Sequence, residues 1–365
     1  MECEYAVIGS GIIGLAIARS LKQKQPESHI VIFDKERKSP LHASGRNSGV
    51  IHAGFYYTSD SLKARFTREG NQRLTRYCEE RNLRINKCGK VVVATTSEEK
   101  ETIFELERRG KKNGVDVRLI DEHELARIEP NAKTCDIALY SPTTSTADPI
   151  EVCQSLRQDL INDGVEFVFG DGFQSRIGAN EFRTTNDNSV RFSKIVNCAG
   201  LYADKIARQF GLSKNYQIIP FKGLYLKYSG NDKPVRTNIY PVPDLNNPFL
   251  GVHFTVTVDG KVKIGPTAVP VFWRENYFGL KRINLGELRE IVPTQIEMFV
   301  NNNFGFRDIA LKEVRKYLKS HMVKQSSKLV KELDVRQFKK WGIPGIRAQL
   351  YDVSRKELAS DFIVE

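Results

Sequence analysis

The sequence predicts an α/β protein that combines a parallel sheet with a separate antiparallel one. Three observations predict it. A glycine-rich turn joins an apolar strand to a helix near the N-terminus, a second apolar strand ends in Ala199-Gly200, and strands of alternating character run from Gln217 to about Val271.

The first element is the apolar strand Tyr5-Ala6-Val7-Ile8, which runs into Gly9-Ser10-Gly11-Ile12-Ile13-Gly14. Helical sequence follows from Leu15 to Leu21, and a second apolar run, Ile30-Val31-Ile32-Phe33, ends in Asp34 and Lys35. Gly9 permits a tight turn, Gly11 lets backbone approach a pyrophosphate, and Gly14 lets helix and strand pack closely. The helix N-terminus at Ile12 favours phosphate charge. Asp34, twenty residues after Gly14, suits a ribose diol and repels a 2′-phosphate. This full context specifies a site for an ADP-containing dinucleotide, with Lys35 at its edge.

The segment after the second strand chooses between dinucleotides. In a simple nicotinamide domain a short loop would lead into another helix. Here His42 to Tyr57 alternates small residues with donors, through Ser44, Gly45, Asn47, Ser48, Gly49 and Val50. That pattern suits a backbone wrapped against a flat ligand. A second approach follows the extended run Val190 to Cys198, which meets Ala199-Gly200 and then Asp204. Both features point to FAD and disfavour an NAD-dependent dehydrogenase.

On these residues the chain resembles the D-amino-acid oxidase-like flavoprotein superfamily, and within it the L-2-hydroxyglutarate oxidases and dehydrogenases. The resemblance runs from Tyr5 to Val364. Its most specific stretches are Gly45 to Tyr57 with Ser61 to Arg65, Cys88-Gly89-Lys90, Pro220 to Gly223, Ile239 to Pro243, Pro248 to His253, Gly265 to Val269 and Gly345 to Gln349. It implies a Rossmann-like FAD-binding domain over 1-85, 145-215 and 340-365, interleaved with an α+β substrate domain over 86-144 and 216-339 built on an antiparallel sheet. Two departures stand out. Arg46 occupies a loop position where many hydroxyglutarate enzymes have His, and the sequence stops at Asp361 to Glu365, where family members continue through a last strand, a turn and a helix pointing at the flavin. On the second departure, either the sequence is truncated or the natural protein binds flavin less securely.

Local signals agree with this organisation. Helices are expected over Leu62 to Arg81, Glu98 to Lys112 and Ile150 to Asn162, the last capped by Asp148. Strands are expected at Val91 to Ala94 and Val165 to Phe169, and the strands from Gln217 to Val271 should form one sheet. A helical stretch from Asn284 to Lys328 should break at Pro293 and near Gly305.

Composition is that of an ordinary globular protein: 40% hydrophobic and 27% charged over 365 residues, without a low-complexity tract. The run Ala6 to Leu21 is too interrupted to span a membrane, and no signal peptide is apparent. Six scattered cysteines read as reduced thiols, which fits a cytoplasmic location. The net charge of +12 fits an anionic substrate or membrane surface; no nucleic-acid module is present. Much of the excess lies between Lys312 and Lys340, read first as a solvated helical face. Peripheral contact with the inner face of an anionic membrane is the alternative.

Oxidising a secondary alcohol by hydride transfer requires a carbon set against the flavin, a base for the hydroxyl proton and a cation for the carboxylate. Of six histidines, His52 in the flavin loop and His253 on the substrate sheet are the candidate bases; His29, His42, His123 and His321 sit in polar or loop contexts. The resemblance implies Arg347 as the carboxylate anchor. Lys222, Arg46 and Tyr240 are candidates for a second substrate contact, with Tyr56, Tyr57 and Tyr225 lining the cavity. No metal constellation or nucleophile elbow appears. The expected reaction is FAD-dependent oxidation of a small 2-hydroxy acid, L-2-hydroxyglutarate first, with oxygen or a membrane quinone as acceptor. Amino-acid, sarcosine and glycerol 3-phosphate substrates are rivals, as is a flavoprotein fragment with little activity.

Overall fold

The computed structural model describes residues 1–245 and 251–363. Strands Glu2–Ile8, Ile30–Asp34, Glu166–Phe169 and Ser189–Asn197 pair side by side in parallel, and two further strands, Glu181–Thr184 and Phe173–Gly178, extend this sheet antiparallel at one edge. Its central strands are buried on both faces, as a sheet covered by helices must be. Helices Ile12–Lys24 and Pro149–Asn162 pack together on it, burying Leu15, Ala18, Val152, Leu156 and Leu160. Asp148 caps the second as expected, accepting from Ile150 N at 2.8 Å.

An eight-stranded sheet forms the other lobe, from Lys90–Val93, Arg118–Asp121, Ile137–Ser141, Leu226–Tyr228, Asn238–Pro241, His253–Val256, Val262–Gly265 and Phe338–Trp341. Every pairing in it is antiparallel except one: Lys90–Val93 runs parallel to Asn238–Pro241. The expectation of a single sheet from Gln217 to Val271 needs correction. Tyr216–Gly223 belongs to a separate four-stranded sheet, where it pairs along its whole length with Gly345–Asp352. Alternation shows that a segment is a strand, but packing decides which distant strand it joins. Short strands Val50–Ile51, Ile85–Asn86 and Ser145–Ala147 zip together three places where the chain leaves or re-enters the first sheet.

The expected break at Pro293 is also absent. Helix Leu285–Val300 runs through it, because Ile291, Gln295 and Met298 hold both halves against the core and Gln295 Nε2 donates to Val271 O at 2.9 Å. The break near Gly305 is real, with a left-handed Gly305 preceding helix Phe306–Arg315. Downstream, Asp361 accepts from Leu62 N at 2.7 Å and Lys63 N at 2.9 Å. It therefore caps helix Leu62–Glu80 from the far end of the chain. All six cysteines are free thiols.

Candidate active site

Gly9 sits at φ +108°, and a Cβ there would meet the Cys198 carbonyl oxygen at 2.4 Å. The return strand Ser189–Asn197 therefore presses its Cys198-Ala199-Gly200 end directly on the glycine turn. Gly9→Ala is expected to purify with little bound FAD, read from the ratio of visible to ultraviolet absorbance; full flavin content would show that the turn has room to spare. Gly14 is buried against the carbonyl of Gly9, and Ile12 N donates to Ser44 Oγ at 3.0 Å beside Gly11. Asp34 accepts from Ser10 N and Glu36 N, each at 2.9 Å, holding its carboxylate beside the turn.

The loop carrying Ser44 to Val50 is fastened at each step. Asn47 donates to the Ser44 carbonyl at 3.0 Å and accepts from Gly49 N at 2.8 Å, and Ser48 Oγ accepts from Val50 N at 3.3 Å. A Cβ at Gly345 would meet Arg46 O at 2.2 Å, so the strand bearing Arg347 packs backbone to backbone on this loop. Arg46 secures that contact by donating to Pro344 O at 3.2 Å and lying 4.3 Å over the Tyr277 ring. Its Nε also donates to Leu41 O at 2.5 Å, tying the side chain to the loop. Lys222, the other cationic candidate, is buried and donates to Asn276 Oδ1 at 3.2 Å.

These features meet the demands of a flavin dinucleotide: a glycine turn, a helix N-terminus, an acid beside them, and a donor-rich loop tied to a second return. Lys35 follows Asp34 directly at the end of the second strand. Its ammonium pairs with Glu275 and lies 4.5 Å over the Tyr202 ring. Glu36, His42 and Glu275 bring three potential metal ligands together, but Lys35 and Arg282 already pair with the carboxylates and His42 Nδ1 bonds Tyr277 OH at 2.9 Å. The group is a cation-neutralised latch on the loop. Asp204, after Ala199-Gly200, holds a fully buried bidentate pair with Arg274 at 2.8 and 3.0 Å, an anchor the sequence alone did not reveal.

Beyond the loop lies a compact cluster. His52 keeps some accessible surface but sits deep in the molecule, where burial, then Lys90, His253 and Arg347, holds its pKa well below the ordinary value. Its Nδ1 lies 3.2 Å from Lys90 Nζ. Tyr240 stands edge-on to His52 at 6.3 Å and stacks on His253 at 3.7 Å. His253 is 3% exposed and lies behind Tyr240; its Nδ1–H donates to Gly251 O at 2.8 Å, and burial pushes its pKa down to about 3. Of the two histidines, His52 keeps accessible surface and His253 is buried. Arg347 is exposed, and its charge is felt by His52, Tyr57, Lys63 and Tyr225. Tyr56 Oη is buried without a hydrogen-bond partner among the described residues. The motif around Pro248 to Leu250 lies outside the described residues.

A family model described as DAO, FAD dependent oxidoreductase, matches residues 4–325. The chain belongs to this family of FAD-dependent oxidoreductases. It is 35% identical to the mitochondrial L-2-hydroxyglutarate dehydrogenase of Nematostella vectensis, over 99% of this chain and 82% of that protein. It is 31% identical to the L-2-hydroxyglutarate dehydrogenase of Escherichia coli strain K12, over 99% and 85%. Among solved structures, the FAD-bound L-α-glycerophosphate oxidase of Mycoplasma pneumoniae superposes with a TM-score of 0.75 at 20% identity, over 95% of this chain and 83% of that one. Glycine oxidase from Geobacillus kaustophilus gives 0.71 at 17% identity, over 95% and 83%. These two establish the shared fold. As a member of the family, the protein is an FAD-dependent oxidoreductase with a Rossmann-like domain and a separate substrate sheet.

Lys90 was overlooked by sequence reasoning, although it stands in a quoted motif. The available signal was a lysine opening the uninterrupted apolar strand Val91-Val92-Val93-Ala94, a position buried on all sides.

Proposed function

We propose that this enzyme oxidises L-2-hydroxyglutarate to 2-oxoglutarate, with His52 as the base and Arg347 as the carboxylate anchor. The observation that carries the reading is a neutral, partly accessible imidazole close enough to the Arg347 guanidinium to feel its charge. Bound FAD supplies the hydride acceptor, held by the glycine turn, Asp34, the Ser44–Val50 loop and Ala199-Gly200. Arg347 orients the substrate by a two-pronged pair with its carboxylate, and His52 takes the hydroxyl proton. Tyr240 and His253 form the rigid layer behind it. The names of the curated relatives support the dicarboxylate substrate.

For the electron acceptor, the exposed row Leu311, Val314 and Leu318, flanked by Lys312, Arg315 and Lys319, supports contact with an anionic membrane face and hence a quinone. Lys312, Arg315, Lys316 and Lys328 also line a cleft of about 550 Å³, so the basic stretch is not a simple solvated face. Among the described residues no helix is long and apolar enough to cross a membrane.

Anaerobic addition of L-2-hydroxyglutarate to the FAD-loaded protein should bleach the flavin band, and a short-chain quinone should restore it faster than air. Bleaching by glycine, sarcosine or glycerol 3-phosphate in its place would overturn the substrate assignment.

A further inference from the structure

A histidine can take a proton at Nε2 only if its Nδ1 already carries one. The group facing Nδ1 of His52 therefore decides whether this ring can work as a base. That group is Lys90 Nζ, at 3.2 Å. Lys90 is fully buried, and the Phe55, Tyr56 and Tyr240 rings lie 5.1, 5.0 and 4.5 Å from its nitrogen. The titratable or charged groups facing the pair are Tyr56 from the flavin loop, Tyr240 from Asn238–Pro241, His253 from His253–Val256, Cys88 beside Lys90, and Arg347 toward His52. No carboxylate among the described residues pairs with Lys90.

We propose that Lys90 is a positioning residue whose uncharged amine accepts the Nδ1–H of His52, leaving Nε2 free to take the substrate hydroxyl proton. The inference rests on His52 being the base. As the substrate loses hydride from C2 and its hydroxyl proton to Nε2, the Nδ1 proton can pass to Lys90. The proton count then closes, with one neutral imidazole and one ammonium. A charged Lys90 has the opposite effect: it donates to Nδ1, forces the ring proton onto Nε2 and blocks the base.

Burial supports this switch, because it pushes the Lys90 pKa down to about 7, against a modest opposing pull from the Cys88 thiol. The three aromatic faces also attract the charged form and temper the fall. The active, uncharged form therefore predominates above about pH 7 and is lost as pH drops through it. The observed limb belongs to the coupled pair and not to one residue.

The test is the pH dependence of anaerobic flavin bleaching in the FAD-loaded enzyme. Wild type should slow about tenfold per pH unit below about pH 7. Lys90→Arg, whose guanidinium stays charged, should be slowed by about 100-fold or more at every pH with its flavin content intact. Lys90→Met should lose the limb near pH 7 and run flat from pH 6 to 8. If the limb persists in Lys90→Met, or Lys90→Arg turns over like wild type, Lys90 has no such role. His52→Gln separates the two ideas: activity close to wild type in that variant removes the base assignment itself. A measurement that needs no variant is the ¹⁵N shift of His52 in the wild-type holoenzyme. It should report a protonated Nδ1 above pH 7 and a protonated Nε2 below it; the Nε2–H form at both pH values would overturn the proposal.

Discussion

Arg347→Met is expected to lower kcat/KM for L-2-hydroxyglutarate by about 10²–10³-fold, mainly through KM, while the protein keeps its FAD. Each hydrogen bond to a charged group contributes about 1.5–3 kcal/mol, and a guanidinium makes two in parallel to one carboxylate. Losing about 3–4 kcal/mol corresponds to that range. Arg347 is exposed on strand Gly345–Asp352, whose close packing on the flavin loop fixes where the guanidinium emerges. Arg347→Lys retains charge without the planar fork and should fall between wild type and Arg347→Met. Steady-state kinetics on all three proteins decide the matter, and an unchanged KM in Arg347→Met would remove this residue from the substrate site.

His52→Gln should lower kcat by about 10²–10⁴-fold with little change in KM, the range expected when a general base is lost. Glutamine keeps a polar side chain of similar reach, so the loop through Ala53 and Phe55, both buried, should hold its fold. The fall should appear in the anaerobic bleaching rate and not merely in turnover, because the proton is removed in the chemical step. A variant within about threefold of wild type in that rate would rule out His52 as the base.

Both effects depend on residues that sequence reading had singled out, which reflects how local their signals are. Turn, helix and second strand announce themselves within about thirty residues because glycine spacing and strand–helix periodicity are short-range properties. The Ser44–Val50 loop, the Asp148 cap and the Ala199-Gly200 return were legible for the same reason. Pro293 misled because a local helix breaker was outweighed by packing on both sides of it.

What local pattern could not supply was partnership. The pairing of Tyr216–Gly223 with Gly345–Asp352, the turning of Lys35 to Glu275, and the Asp204–Arg274 pair each join residues far apart in the chain. The same limit hid the ordering of the histidines. Periodicity placed His253 on a strand, but only the folded sheet stacks Tyr240 on it and buries it while His52 keeps some accessible surface. Lys90 is the sharpest instance. Its sequence context shows a lysine beside a buried strand, yet its chemistry arises from three rings and an imidazole brought to it by other segments. Sequence therefore determined the cofactor class and the turn, helix and strands of the dinucleotide fold, through short-range geometry. Tertiary packing decided which ionisable groups meet, because pKa values and hydrogen-bond roles depend on neighbours that no local pattern specifies.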